Sequence, residues 1–311
     1  MAKPWLDYTQ QVELLASRGL EIADIDQAAS FLSKVGYYRF SGYFRYWQTD
    51  PLRGDNSFRA GTGFDTVRNL YEAEQELATV CDDILHPLEV LLRTRFAHYY
   101  GKLVGEQGCF VTGKGFTPAP NLKDKRIEDY ILYNLNRSKE NSIAHYRSEN
   151  AHEPYDAEAY SQMPIWVAVE VLPLGTLSRM IAASQESGVL VAMADSMNTS
   201  PARLPSQARS FVYLRNRIAH CSRLWNHSVL DVPGLLAKTE RRIKRDRKFT
   251  NHSVYKVFAA MSDVATRAGL WCETAEWLET KINPILDANT LLAAGICEPR
   301  KYGQFFHDFH G

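Results

Sequence analysis

The chain has 311 residues, with 36 basic and 36 acidic side chains and no net charge at neutral pH. Hydrophobic residues make up 45% and charged residues 23%, a balance that supports a folded core and excludes wholesale disorder. No apolar run approaches the ~18–20 residues of a membrane span, and the opening MAKPWLDYTQ carries no apolar leader core.

Length alone allows one or two domains. Residues 9–18 and 24–34 pattern as two short amphipathic helices joined by Gly19, with Thr9 and Asp24 as N-caps. The following VGYYRFSGYFRYWQ, residues 35–48, is dense in aromatics. It reads either as an RNA-stacking surface or, more simply, as core, because aromatics carry large buried area. Residues 50–63 form a polar, Gly-containing loop.

Apolar periodicity over residues 64–103 indicates a long helix or a helix pair, with Pro87 breaking or kinking it. Residues 105–122 carry four glycines and two prolines and read as a loop. A helix over 125–137, a polar connector over 147–164 and a helix over 165–185 interrupted near Pro173 follow. A helix over 203–227 comes next, then two or three more over the basic block and 251–293. Strand-like alternation is nearly absent, so the expected fold is all-α. Cysteines at 81, 109, 221, 272 and 297 form no Cys-x-x-Cys pair, and their odd number argues against a disulfide framework. A cytoplasmic, thiol-reduced protein is the expectation.

The most informative stretch is FVYLRNRIAHCSRLWNH, residues 211–227. Leu214, Ile218, Cys221 and Trp225 recur at steps of four, three and four, a buried helical stripe. Asn216, His220, Arg223 and His227 recur at the same steps on the far side. A polar stripe opposite a core stripe is ordinarily a solvated face, but such faces are rich in Glu and Lys and this one has neither. Histidine transfers protons near neutrality, and arginine offers phosphate a planar, permanently charged fork. Together they suit metal-free phosphodiester cleavage.

Residues 211–256 hold eleven Lys/Arg against three acids, a local excess of +8 balanced by −8 elsewhere. Arg223, His227, Arg241, Arg242, Lys244, Arg245, Arg247 and Lys248 are the RNA-binding candidates, with a solvated helix face as the plain alternative. An internal echo, LRTRFAHYYG at 92–101 against LRNRIAHCSR at 214–223, pairs Arg93 with His98 as Arg215 pairs with His220. Glu89 stands four residues before Arg93, a helical ion-pair spacing, so Glu89 and Arg93 are candidate supporting residues. His220 and His227 lie ~10.5 Å apart along a helix, too far to share an ion. His307 and His310 have no third ligand in view and the cysteines lack ligand spacing, so no metal and no cofactor are expected.

KPWLDYTQQVELLASRGLEI, LSKVGYYRFSGY, FRAGTGFDTVRNLYEAEQEL, PLEVLLRTRFAH, LPLGTLSRM and LRNRIAHCSRLWN occur in this order. Over roughly residues 3–227 the chain thereby resembles the Abi family of bacterial abortive-infection proteins, the Abi-D/F-like group. The resemblance extends to the HEPN superfamily, all-α bundles in which Arg-x4-6-His carries metal-independent ribonuclease activity, typically in a dimer. It implies a HEPN-like domain over 1–227; residues 228–311 fall outside the resemblance and are expected as a basic helical extension packed on the same domain. It also implies phage defence or toxin-like RNA cleavage, with Arg215, Asn216 and His220 at the matching positions. Other HEPN proteins only bind RNA or sequester a partner. The expected partners are RNA, a second copy in a homodimer, and an antitoxin of protein or small RNA.

In the expected mechanism His220 moves a proton between the RNA 2′-hydroxyl and the leaving 5′-oxygen, Arg215 holds the scissile phosphate, and Asn216 orients the imidazole or binds the phosphate. Arg215 and His220 sit about 140° apart round an ideal helix, so only the length of the Arg215 side chain brings them together.

Overall fold

A computed structural model of the chain describes residues 4–118, 121, 124–148, 152, 154–270 and 277–300. Lys3, Cys272, His307 and His310 lie outside the described residues, as do parts of the stretches 105–122, 147–164 and 251–293. Fourteen α-helices and one two-stranded hairpin make up the regular structure among the described residues, so the fold is essentially all-α. No described helix is long and apolar enough to cross a membrane.

The first helices are α1 (Tyr8–Ser17), α2 (Ile25–Val35) and α3 (Tyr37–Phe44). Asp24 caps α2 as the sequence indicates, accepting from the Gln27 N–H. The cap of α1 is Asp7 rather than Thr9: Asp7 and Gln10 form a reciprocal capping box, which satisfies two orphan donors at once. In α3, Phe40, Tyr43 and Phe44 lie at three- and four-residue spacing and are buried. The aromatic stretch is therefore mostly core. The loop expected over 50–63 contains a short antiparallel hairpin, β1 (Gln48–Asp50) and β2 (Asp55–Phe58), with Gln48 opposite Phe58 and Asp50 opposite Asp55.

The spine is α4 (Phe64–Leu103), one unbroken 40-residue helix that runs through Pro87. An interior proline forfeits a hydrogen bond and costs about 3 kcal/mol. Here the loss is offset by a buried stripe from Phe64 to Tyr100 with Ile84, Leu85 and Leu88 on either side of the proline. After α4 come α5 (Ile127–Arg137), α6 (Asn141–Tyr146), α7 (Ile165–Val171), α8 (Leu174–Ala183), α9 (Val189–Ser196) and α10 (Leu204–Ala219). The break between α7 and α8 falls at Pro173. The remaining helices are α11 (Ala237–Asp246), α12 (Val254–Arg267), α13 (Asn283–Ala288) and α14 (Thr290–Cys297). α7, α9 and α12 pack on α4, and α12 also packs on α10. α12 is buried on nearly every side, from Val254 to Ala265. Residues on both sides of position 227 thus share one core.

Helix α10 ends at Ala219, not near 227. The Cys221 N–H bonds the Ile218 carbonyl at 2.8 Å and the Ser222 N–H bonds the Arg217 carbonyl at 2.7 Å. This is a Schellman closure, with Cys221 at φ +48° where glycine usually stands. Leu214 is buried, but Cys221 is exposed and Ile218 half-buried, so the four-three-four stripe fails beyond the helix. Trp225 is buried for a different reason. It stacks on Tyr43 and Trp47, meets Tyr46 edge-on, and its indole N–H donates to the Leu291 carbonyl at 2.7 Å.

Glu74, on the buried face of α4, fixes this turn. Its carboxylate accepts the backbone N–H groups of Leu224 and, at 3.3 Å, Trp225. Only 2% of Glu74 is exposed, and burial pushes its carboxyl up to about 7 against the pull of those two N–H groups and of Arg223. The folded chain therefore binds more protons than the unfolded chain between the ordinary value of 4.5 and about 7. This group's contribution is full below about 4.5 and declines as pH rises to about 7, by at most about 3 kcal/mol. Glu74→Gln should remove that decline from the pH profile of thermal unfolding. At pH 5, where the Glu74 carboxyl is protonated and the amide is close to its isostere, the two proteins should differ by about 1 kcal/mol or less. Identical slopes for the two proteins between pH 4.5 and 8 would exclude Glu74 as the titrating group.

Helix α14 closes over Trp225 through Gly295, whose added Cβ would stand 2.4 Å from indole Cδ1 and Nε1. Gly295→Ala should lose about 1–3 kcal/mol in urea unfolding by overpacking. Gly175→Ala in α8, whose Cβ would meet nothing closer than 3.6 Å, should be neutral or slightly stabilising.

Candidate functional site

His220 caps the C-terminal end of α10 with its backbone N–H on the Asn216 carbonyl, and its imidazole is exposed and makes no hydrogen bond among the described residues. Asn216 and Arg217, one turn earlier, share its face. Two open grooves meet at this point, and Arg217, His220 and Ser222 line both. The first groove runs towards α8 and carries Arg179 and Arg209. The second runs towards α3 and carries Tyr38, Arg39, Arg45 and Arg223. Asp231 is the acid of the first groove and pairs with Arg209 at 3.5 Å, and among the described residues no acid lines the second.

Arg215 faces another way. Its Nε lies 3.5 Å from Glu89 Oε2, and its Nη1 donates to Asn216 Oδ1 at 3.0 Å. The other Glu89 oxygen pairs with Arg93, which also donates to the Val169 and Leu172 carbonyls at the end of α7. Glu89, Arg93 and Arg215 therefore form one cluster joining α4, α7 and α10. The Arg215 guanidinium is held between Glu89 and Asn216, and Arg215 lines neither of the two grooves that His220 lines. His98 lines a separate groove with Trp166 and Glu170, so the echoed Arg93–His98 pair does not join His220.

Arg217 takes the place beside His220. Its Nε and Nη2 donate to the Arg223 carbonyl, and its Nη1 to His227 Nε2 at 3.0 Å. A guanidinium only donates, so Nε2 of His227 is bare and its Nδ1–H donates to Tyr213 Oη at 2.7 Å. Burial, reinforced by Arg217 and Arg223, pushes the His227 imidazole down to about 4, so it is neutral at cellular pH. Burial also lowers Arg217 and raises Tyr213 to about 12. His227 is thus an internal acceptor that sets Arg217, not an outward residue of the polar helix face. Arg223 turns inward as well, donating to the Gly42 carbonyl and, at 3.4 Å, to the Tyr46 hydroxyl. The physical reason for both corrections is the helix end at Ala219, which releases 221–227 to fold back on α3 and α4.

The basic block divides. Arg241, Arg242 and Arg245 line a groove with Lys238 between α11 and the end of α12. Lys244 pairs with Glu240 at 2.8 Å, while Arg247 binds Asn283 at 3.1 Å and pairs with Asp287. Lys248 is exposed. No group of three His, Cys, Asp or Glu side chains could hold a metal ion among the described residues.

Reading the sequence by stripe missed Arg217, Arg179, Arg209 and Arg39. Arg217 was accessible in principle, being three residues before His220 and hence on its face. The others come from distant elements, and no local spacing links them to His220.

No curated protein and no solved structure matches the chain significantly. The family model described as Abi-like protein matches residues 30–226, which takes in α3, the hairpin, α4 and the whole of α10 with its closing turn. Since the match covers well over half of the sequence, the chain belongs to the Abi-like protein family, a family tied to abortive infection and phage defence.

Proposed function

We propose that this protein is a metal-independent endoribonuclease of the HEPN type, acting on RNA during abortive infection. The observation that carries the reading is His220, exposed and uncommitted, at the junction of two arginine-lined grooves with Asn216 and Arg217 on its face. His220 takes the proton of a 2′-hydroxyl as that oxygen attacks the adjacent phosphorus. The P–O5′ bond breaks and the 5′-oxygen leaves as a hydroxyl once it gains a proton. The products are a 2′,3′-cyclic phosphate and a 5′-hydroxyl end. Arg217 neutralises charge on the phosphate oxygens, and Arg215 joins it only by leaving Glu89. A two-fold homodimer would bring a second His220 to serve as the acid where the first is the base. An antitoxin, protein or RNA, covering the same grooves would hold the activity in check.

The pairing of Arg215 with Glu89 favours one alternative, a non-catalytic RNA-binding or partner-sequestering module. His220→Ala separates the two. It should lose roughly 10²–10⁴ of the cleavage rate while RNA binding persists, because a neutral imidazole supplies little phosphate attraction. Arg217→Ala should lose both rate and affinity. A folded His220→Ala protein that cleaves at the wild-type rate would remove the mechanism.

Among the basic residues of the C-terminal region, Arg241, Arg242 and Arg245 should matter most for RNA, since Lys244 and Arg247 already have acidic partners. Reversing those three charges should weaken RNA binding and flatten its dependence on salt, measured by fluorescence anisotropy between 50 and 200 mM salt. An unchanged slope would leave α11 as a solvated surface.

A further inference from the structure

Within the aromatic stretch of α3, Tyr38 behaves unlike its neighbours. Phe40, Tyr43 and Phe44 are buried, whereas Tyr38 is 92% exposed. It stands on the wall of the groove that leads to His220, with Arg39 beside it. Arg39 reaches across and donates one Nη1–H to the Cys221 carbonyl, the residue immediately after His220. That bond ties α3 to the closing turn of α10 and leaves the rest of the guanidinium for a ligand. A second cation, Arg223, is fixed in the same wall by Gly42.

An exposed aromatic ring, a free guanidinium face and a groove with no acid among the described residues match the two faces of a nucleotide. The ring offers a base a stacking platform, and the guanidinium offers its phosphate a planar donor. We propose that Tyr38 and Arg39 form a nucleotide subsite next to His220 that takes one unpaired base and its phosphate from single-stranded RNA. Stacking on Tyr38 needs a base out of a helix, so the subsite selects single strands over duplex. The choice of RNA as ligand rests on the ribonuclease reading above, while the geometry of the subsite does not depend on cleavage.

The test uses the full chain and a single-stranded oligoribonucleotide carrying 2-aminopurine, with 2′-O-methyl sugars so that it cannot be cut. An unmodified RNA of the same sequence reports cleavage in parallel. The wild type should bind the single strand more tightly than its duplex and quench the 2-aminopurine. Tyr38→Phe should keep affinity and quenching. Tyr38→Ala should lose about tenfold or more in affinity, together with the quenching. Its thermal midpoint should not move, because the ring is exposed. Arg39→Gln should weaken binding and flatten its salt dependence.

Unchanged affinity and quenching in Tyr38→Ala would overturn the subsite and leave Tyr38 as a contact for a protein partner. If that happened while cleavage still depended on His220, the ribonuclease reading would survive alone. Tyr38-dependent quenching without any cleavage would instead keep the subsite and remove the nuclease. A wild type that neither binds nor quenches the oligonucleotide would overturn the subsite as well.

Discussion

A single buried carboxylate organises the functional end of this protein. Glu74 sits on the inner face of α4, 150 residues from the Leu224 N–H that it accepts. Beyond Ala219 the chain has no helical ladder to satisfy its backbone, and a buried N–H without a partner costs more than most contacts return. Glu74 supplies two of those partners, and Trp225 then drops into the aromatic box of Tyr43, Tyr46 and Trp47. The result is a sharp reversal after His220 that leaves the imidazole standing at the lip of two grooves. Burying an acid is expensive, and its raised titration is the sign of that expense.

The same reversal sorts the arginines. Arg215 stays on the helix side facing α4, where Glu89 neutralises it, and the Arg93 guanidinium braces Glu89 in turn. Arg217 faces the reversal and is bound through all of its nitrogens to groups in 223–227. A neutral His227, oriented by Tyr213, accepts from Arg217 and adds no charge beside it. The positive charge of Arg217 is therefore fixed in place but not cancelled, which is what a site for a phosphate requires.

Much of this was legible in the sequence. The 3.6-residue period over 64–103 marked the spine, Asp24 marked the start of α2, and Pro173 marked the break between α7 and α8. The end of α10 was not legible, because its Schellman closure uses Cys221 instead of glycine. Trp225, buried through contacts with α3, also fell by coincidence on the continued stripe. Nothing local singles out Glu74 in YEAEQEL, since the groups that bury it lie far away in sequence. The hairpin escaped because QTD and DNSF lack the β-branched alternation of a strand. Tyr38 was within reach of local reasoning: a helical period applied to 37–44 places Phe40, Tyr43 and Phe44 inward and leaves Tyr38 outside.

The cleavage proposed for this fold is internal attack of the RNA 2′-hydroxyl with no metal. The direct measurement is to compare an RNA strand with one carrying a single 2′-deoxy sugar at the cut position, both in excess chelator, and to identify the new ends by mass spectrometry. The unmodified strand should yield a 2′,3′-cyclic phosphate and a 5′-hydroxyl, and the 2′-deoxy strand should remain intact at that position. Cleavage of the 2′-deoxy strand, or loss of cleavage in chelator with 3′-hydroxyl ends in its absence, would contradict it.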